Sequence, residues 1–115
     1  MKTLILLLVP LAACTIAAPK APDVPNRAVS YTCKGGDVVP VIYGAEGDGT
    51  KSVVIRVDGA NYTLLEEPAA TGQRFAWPSD GSNFVWVTQD GVGTVLWHDG
   101  TNGTEAPRFT DCKPA

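Results

Sequence analysis

Apolar residues along most of this chain come in short runs that alternate with polar ones, with a period of two residues rather than a helical period. The clearest case is Ser52 to Val57, where Val53, Ile55 and Val57 share one face and Ser52 and Arg56 share the other. Asp58-Gly59 then supplies turn chemistry before Tyr62-Thr63-Leu64-Leu65, so the pattern predicts a hairpin. Comparable runs predict strands at Val29 to Thr32, Val38 to Tyr43, Arg74 to Trp77, Phe84 to Thr88, Gly93 to Trp97 and Arg108 to Cys112. Pro40 inside the second of these runs marks an edge or a bulge, because proline offers no donor to a ladder. Asp80-Gly81, Asp90-Gly91 and Asp99-Gly100 punctuate the later strands. Helix signals are almost absent, and 12 Gly and 9 Pro interrupt the chain throughout. The fold class is therefore all-β, with seven or eight short antiparallel strands. A small closed barrel leaves no exposed strand edge, and a two-sheet sandwich is the alternative.

The start of the chain breaks this pattern. Lys2 precedes the unbroken apolar run Leu4 to Val9, which is too short for a membrane span of about 20 residues and reads as the core of an export leader. Leu11-Ala12-Ala13-Cys14 follows and resembles the bacterial lipobox, in which the cysteine is acylated and becomes the mature N-terminus. The plainer reading is ordinary cleavage after small residues. The expected organisation is a leader at 1–13 and a lipid anchor at Cys14. A tether at 14–28, with Pro19, Pro22 and Pro25 evenly spaced, favours an extended spacer. Thr15, rather than Asp, follows the cysteine, which by resemblance to Gram-negative lipoproteins permits export to the outer membrane, facing the periplasm.

The remaining segment, 29–115, is enough for one modest core and too short for a two-domain enzyme with a cofactor cleft. With Cys14 set aside, Cys33 and Cys112 stand at its two ends. In an exported chain such a pair reads as one disulfide, and closing so long a loop contributes on the order of 4 kcal/mol. From Val29 onward the segment carries 6 basic and 11 acidic residues, a net charge of −5. That balance excludes nucleic acid, whose phosphates need clustered Lys and Arg, and favours a cationic partner.

Candidate chemistry is sparse. His98, the single histidine, precedes a turn with no nucleophile arranged beside it, and reads as a surface hairpin residue. Glu46-Gly47-Asp48-Gly49 and Asp99-Gly100-Thr101-Asn102-Gly103 lack the full calcium-loop pattern and read as polar turns. Glu66 and Glu67 are adjacent on a strand, so they point to opposite faces and cannot flank one glycosidic bond. No phosphate loop or metal-ligand spacing is present, and the reading calls for no catalysis, no metal and no cofactor. Trp77, Trp86 and Trp97 admit core, sugar-stacking or interface roles. The alternation around Trp86 assigns that one to packing.

Two short stretches carry a family resemblance. Thr71-Gly72-Gln73-Arg74-Phe75, followed by Trp86-Val87-Thr88-Gln89-Asp90-Gly91, resembles the paired motifs of the membrane-bound inhibitors of c-type lysozyme, Ser-Gly-x-x-Tyr and then Trp-x-x-Lys-Gly. The leader, Tyr31-Thr32-Cys33 at the start of the domain and Cys112 near its end fit the same family. There are departures: Thr71 stands for Ser and keeps the hydroxyl, Phe75 stands for Tyr, and Gln89 stands for Lys with Asp90 inserted before Gly91.

The resemblance implies a barrel that inhibits c-type lysozyme by inserting a loop into a cleft built around two carboxyl groups. The implied tip is Thr71, Gly72, Gln73, Arg74 and Phe75, widened by Thr88, Gln89 and Gly91 on a second loop, with Glu66-Glu67-Pro68 as a stiff shoulder. The implied partners are c-type lysozyme and, through Cys14, a membrane. A different class, an envelope lipoprotein that binds glycan through exposed tryptophans, is the alternative. It is separable by sugar-induced fluorescence quenching without any effect on lysozyme.

Overall fold

The computed structural model describes residues 26–115, so the leader, Cys14 and most of the tether lie outside the described residues. Eight strands follow in order: β1 (Arg27–Thr32), β2 (Val38–Ala45), β3 (Lys51–Val57), β4 (Ala60–Glu67), β5 (Gln73–Ala76), β6 (Asn83–Gln89), β7 (Val92–Asp99) and β8 (Thr104–Pro114). Each pairs antiparallel with the next and β8 returns to β1, closing an up-and-down barrel. A single 3-10 turn, Lys34–Gly36, joins β1 to β2. The barrel, rather than the sandwich, is the architecture, and every predicted strand is present. β1 starts at Arg27, two residues before the expected domain boundary, and pairs Arg27 with Tyr43 and Ala28 with Ile42.

The turns follow from local chemistry. Asp58-Gly59 and Asp90-Gly91 form two-residue hairpins with φ of 51° and 82°, and of 53° and 81°, the left-handed pair that a type I′ turn requires. Pro40 holds its register against Ser30, while pairing with β3 begins only at Val41. The proline thus occupies a stretch of β2 paired on one side, the edge-like setting it needs. The register irregularity lies elsewhere, between β7 and β8 around Val95.

Inward rows of alternate residues fill the barrel: Val39 and Val41, then Val53, Ile55 and Val57, with Leu64, Phe75, Trp86 and Val95. Trp86 is fully buried, as expected from its alternation. Its Nε1 donates to Tyr43 Oη at 3.1 Å, Tyr43 Oη meets Tyr31 Oη at 2.7 Å, and the Tyr31 ring stands edge-on to the indole at 4.8 Å. Burial raises the Tyr31 pKa above that of an ordinary phenol, so this hydroxyl keeps its proton. Gly93 makes room for the indole, since a Cβ there would sit 2.2 Å from the Trp86 ring. One outward assignment fails. Ser52 is 8% exposed, because Gly44 beside it leaves a hollow in the wall that Asn26 also enters.

The closing seam is short. β1 and β8 share only Tyr31–Pro114 and Thr32–Lys113, extended by a hydrogen bond from Ala115 N to Ser30 O at 2.9 Å. The predicted Cys33–Cys112 disulfide forms beside this seam and links residues 79 apart in sequence, so it secures the place where the ladder is thinnest. Strand alternation then sorts the connections. The 46–50, 68–72 and 90–91 links fall at one end of the barrel, and 33–37, 58–59, 77–82 and 100–103 at the other.

Candidate functional site

The end of the barrel that carries 68–72 and 90–91 brings both sequence motifs together. Pro68 to Gly72 form an exposed five-residue loop between β4 and β5. Gly72 has φ of 66°, and a Cβ there would lie 2.1 Å from the Thr88 carbonyl oxygen and 3.3 Å from Gln89 Cα. Only glycine satisfies both conditions, so the loop seats directly on the neighbouring strand. Gln73 pairs with Thr88 in the ladder, and Thr71, Gln73, Thr88, Gln89, Val92 and Thr94 line one shallow groove. Gln89 is the last residue of β6, and Asp90 and Gly91 are the hairpin turn itself.

The neck of the loop is braced on both faces. Gln73 Nε2 donates to Glu66 Oε2 at 3.2 Å. Arg74 Nε donates to Glu67, while its Nη1 and Nη2 form a fork on Glu105 of β8, with Nη1 to Oε1 at 2.9 Å. His98 Nδ1 meets the same Glu105 carboxylate at 2.8 Å. The Arg74 hydrogen bond, and secondarily the His98 one, holds the Glu105 carboxyl below its ordinary pKa despite partial burial. Glu105 in turn raises the Arg74 pKa. Paired planar groups of this kind fix geometry more than they add stability at such exposure.

Comparison with known proteins shows the family of the chain. The family model described as membrane-bound lysozyme-inhibitor of c-type lysozyme matches residues 31–103, more than half of the chain. The chain belongs to that family. The membrane-bound lysozyme inhibitor of C-type lysozyme from Cupriavidus necator is 33% identical over 96 residues, covering 77% of this chain and 73% of that protein. Among solved structures, the periplasmic lysozyme inhibitor of C-type lysozyme from Salmonella typhimurium superposes with a TM-score of 0.65 at 18% identity, covering 79% of this chain and 99% of that one. The Adhesin Complex Protein of Neisseria meningitidis gives 0.53, also at 18% identity, over 78% and 100% of the two chains. At those identities both likenesses are of fold.

In this member of the lysozyme-inhibitor family the expected tip is partly redistributed. Thr71, Gln73, Arg74, Thr88 and Gln89 line one groove, with Gly72 seated on its far strand, whereas Phe75 does not join them and the Arg74 guanidinium is not free. Arg74 is committed to Glu67 and Glu105, because its position on β5 turns it to the outer wall where both carboxylates stand. Phe75 is 1% exposed and packs in the core edge-on to Tyr43, because it falls on the inward row. Glu66 and Glu67, read as a solvated strand end, face opposite sides as expected, yet each is paired across to β5.

The remaining candidates fall into structural roles. Asp48 Oδ1 accepts from Thr50 N, Asp99 Oδ1 from Thr101 N, and Asn102 Oδ1 from Thr104 N, so both suspected calcium loops use these oxygens to form turns. Trp97 is 41% exposed and stacks edge-on against Phe84, which in turn meets Tyr62. Trp77 is 44% exposed and lines an outer hollow with Glu67, Arg74 and His98. The sequence reading missed Arg27 and Lys51, which line a cleft beside Gln73. Alternation was the available signal, since both extend inward-facing rows by one step.

Proposed function

We propose that this chain is a non-catalytic, lipid-anchored inhibitor of c-type lysozyme that occludes the enzyme's active-site cleft with the 68–72 loop. The observation that carries this reading is the seat of Gly72 on Thr88 and Gln89, which gives a hydroxyl-and-glycine tip a rigid second wall. Thr71 offers a hydroxyl, Gln73 and Gln89 offer amides, and hydrogen bonds to charged groups contribute about 1.5–3 kcal/mol each. A few such donors facing the cleft carboxyls therefore dominate the contact. The negative net charge favours rapid approach to a cationic enzyme. The lipobox-like run ending at Cys14, Thr15 after it and the proline-spaced tether at 14–28 support a lipid anchor and a location in the cell envelope, at the outer membrane and facing the periplasm.

The test is turbidity loss of a cell-wall suspension by c-type lysozyme. Added chain is expected to abolish clearing near one equivalent, and Thr71→Arg is expected to weaken inhibition at least about tenfold, the cost of roughly one charge-assisted hydrogen bond. Undiminished clearing at excess chain contradicts the reading.

A further inference from the structure

The inward rows do not stop at the apolar core. On β1 the row through Tyr31 and Val29 continues to Arg27, and on β2 the row through Val39 and Val41 continues to Tyr43. On β3, Val57, Ile55 and Val53 lead to Lys51, and on β5, Phe75 leads to Gln73. Arg27, Tyr43, Lys51 and Gln73 thus surround one cleft at the mouth of the barrel, with Phe75 at its floor and Gly44 and Ser52 in its wall. Gln73 belongs to this cleft and to the tip groove, so the two are neighbours.

The residues that line this mouth differ in charge from the domain. Its lining contains two cations and no carboxylate, although acidic residues outnumber basic ones in the chain as a whole. The Arg27 guanidinium lies over the Tyr43 ring at 4.6 Å from its centroid, which orients the group without neutralising it. Among the described residues neither Arg27 nor Lys51 forms an ion pair. Glu66, on the same inward side of β4 and paired with Phe75, borders the cleft with its carboxylate held by the Gln73 amide at 3.2 Å. It forms no ion pair with Lys51 within 4 Å, which leaves both cations able to take a second carboxylate. The proposed tip itself offers no free positive charge, because Arg74 is bound to carboxylates, Gln89 is neutral and Asp90 is acidic.

We infer that the barrel mouth is a carboxylate-binding site in which Arg27 and Lys51 receive an acidic side chain of the lysozyme while the 68–72 loop enters its cleft. This rests on the reading given under Proposed function. It supplies the positive charge that a plug for a two-carboxylate cleft needs, and it supplies it from beside the loop rather than from the loop.

The test measures association and dissociation rates of the full-length chain with c-type lysozyme, for wild type and for the double variant Arg27→Gln/Lys51→Gln. Removing two positive charges makes the chain more acidic, so long-range attraction to a cationic enzyme is not weakened and the association rate is expected to hold or rise. Dissociation is expected to accelerate about tenfold or more, with an unchanged melting temperature. The charge-keeping variant Arg27→Lys/Lys51→Arg is expected to stay close to wild type. Dissociation of the double glutamine variant at the wild-type rate, from a wild-type chain that does inhibit, overturns the carboxylate site alone. A wild-type chain that leaves lysozyme fully active overturns the functional reading and this inference with it.

Discussion

Two glycines divide the residue-scale physics between binding and folding. At Gly72 the backbone is left-handed and a side chain would strike the Thr88 carbonyl, so Gly72→Ala meets a conformational and a steric penalty together. The expected result is a loop lifted from its seat. Inhibition should fall at least about tenfold, and stability by roughly 1–3 kcal/mol, read from turbidity and urea denaturation. At Gly93 the obstacle is the Trp86 ring, on the core side of the Thr88–Gly93 pair. Gly93→Ala is expected to cost about 1–3 kcal/mol in urea denaturation, with inhibition below the melting range falling less than for Gly72→Ala. The sequence made the first of these legible, because a Gly after a hydroxyl residue sits in a recognisable motif. The second was hidden, since nothing local tells that a glycine on β7 faces an indole on β6.

At the scale of elements, strands and turns were readable because two-residue alternation and Asp-Gly pairs are local signals. What alternation did not reveal was partnership across the barrel. Arg74 looked like a donor at the tip, yet Glu105, 31 residues later, captures its guanidinium. Phe75 looked like part of a binding motif, yet the inward row claims it for the core. The Arg74–Glu105 fork ties the neck of the loop to β8, and Glu105→Gln is expected to release it. Stability should change by less than about 1 kcal/mol, as for other partly exposed ion pairs, while inhibition weakens severalfold. The pH dependence has a definite sign. The folded Glu105 pKa lies below its ordinary value of 4.5, so its contribution is fully present above that pH and is lost as pH falls through the lowered value. The stability difference between wild type and Glu105→Gln, followed by urea denaturation, should therefore be constant from about pH 6 to 8 and shrink toward about pH 3.

At the scale of the molecule, a barrel removes strand edges and offers rigid ends, and this chain concentrates its unusual features at one of them. The 68–72 loop, the Asp90-Gly91 hairpin and the cationic mouth share that end, and β1 begins there as well. The weak point is the two-pair seam between β1 and β8, which the disulfide secures. Replacing Cys33 and Cys112 by Ala is expected to lower stability by on the order of 4 kcal/mol in denaturant. The central claim is that the loop fills a saccharide-binding cleft, and competition tests it most directly. The apparent dissociation constant of the full-length chain for c-type lysozyme would be measured at rising concentrations of a chitin oligosaccharide that occupies the same cleft. The account predicts a linear rise with saccharide concentration. An affinity indifferent to saturating saccharide would contradict it.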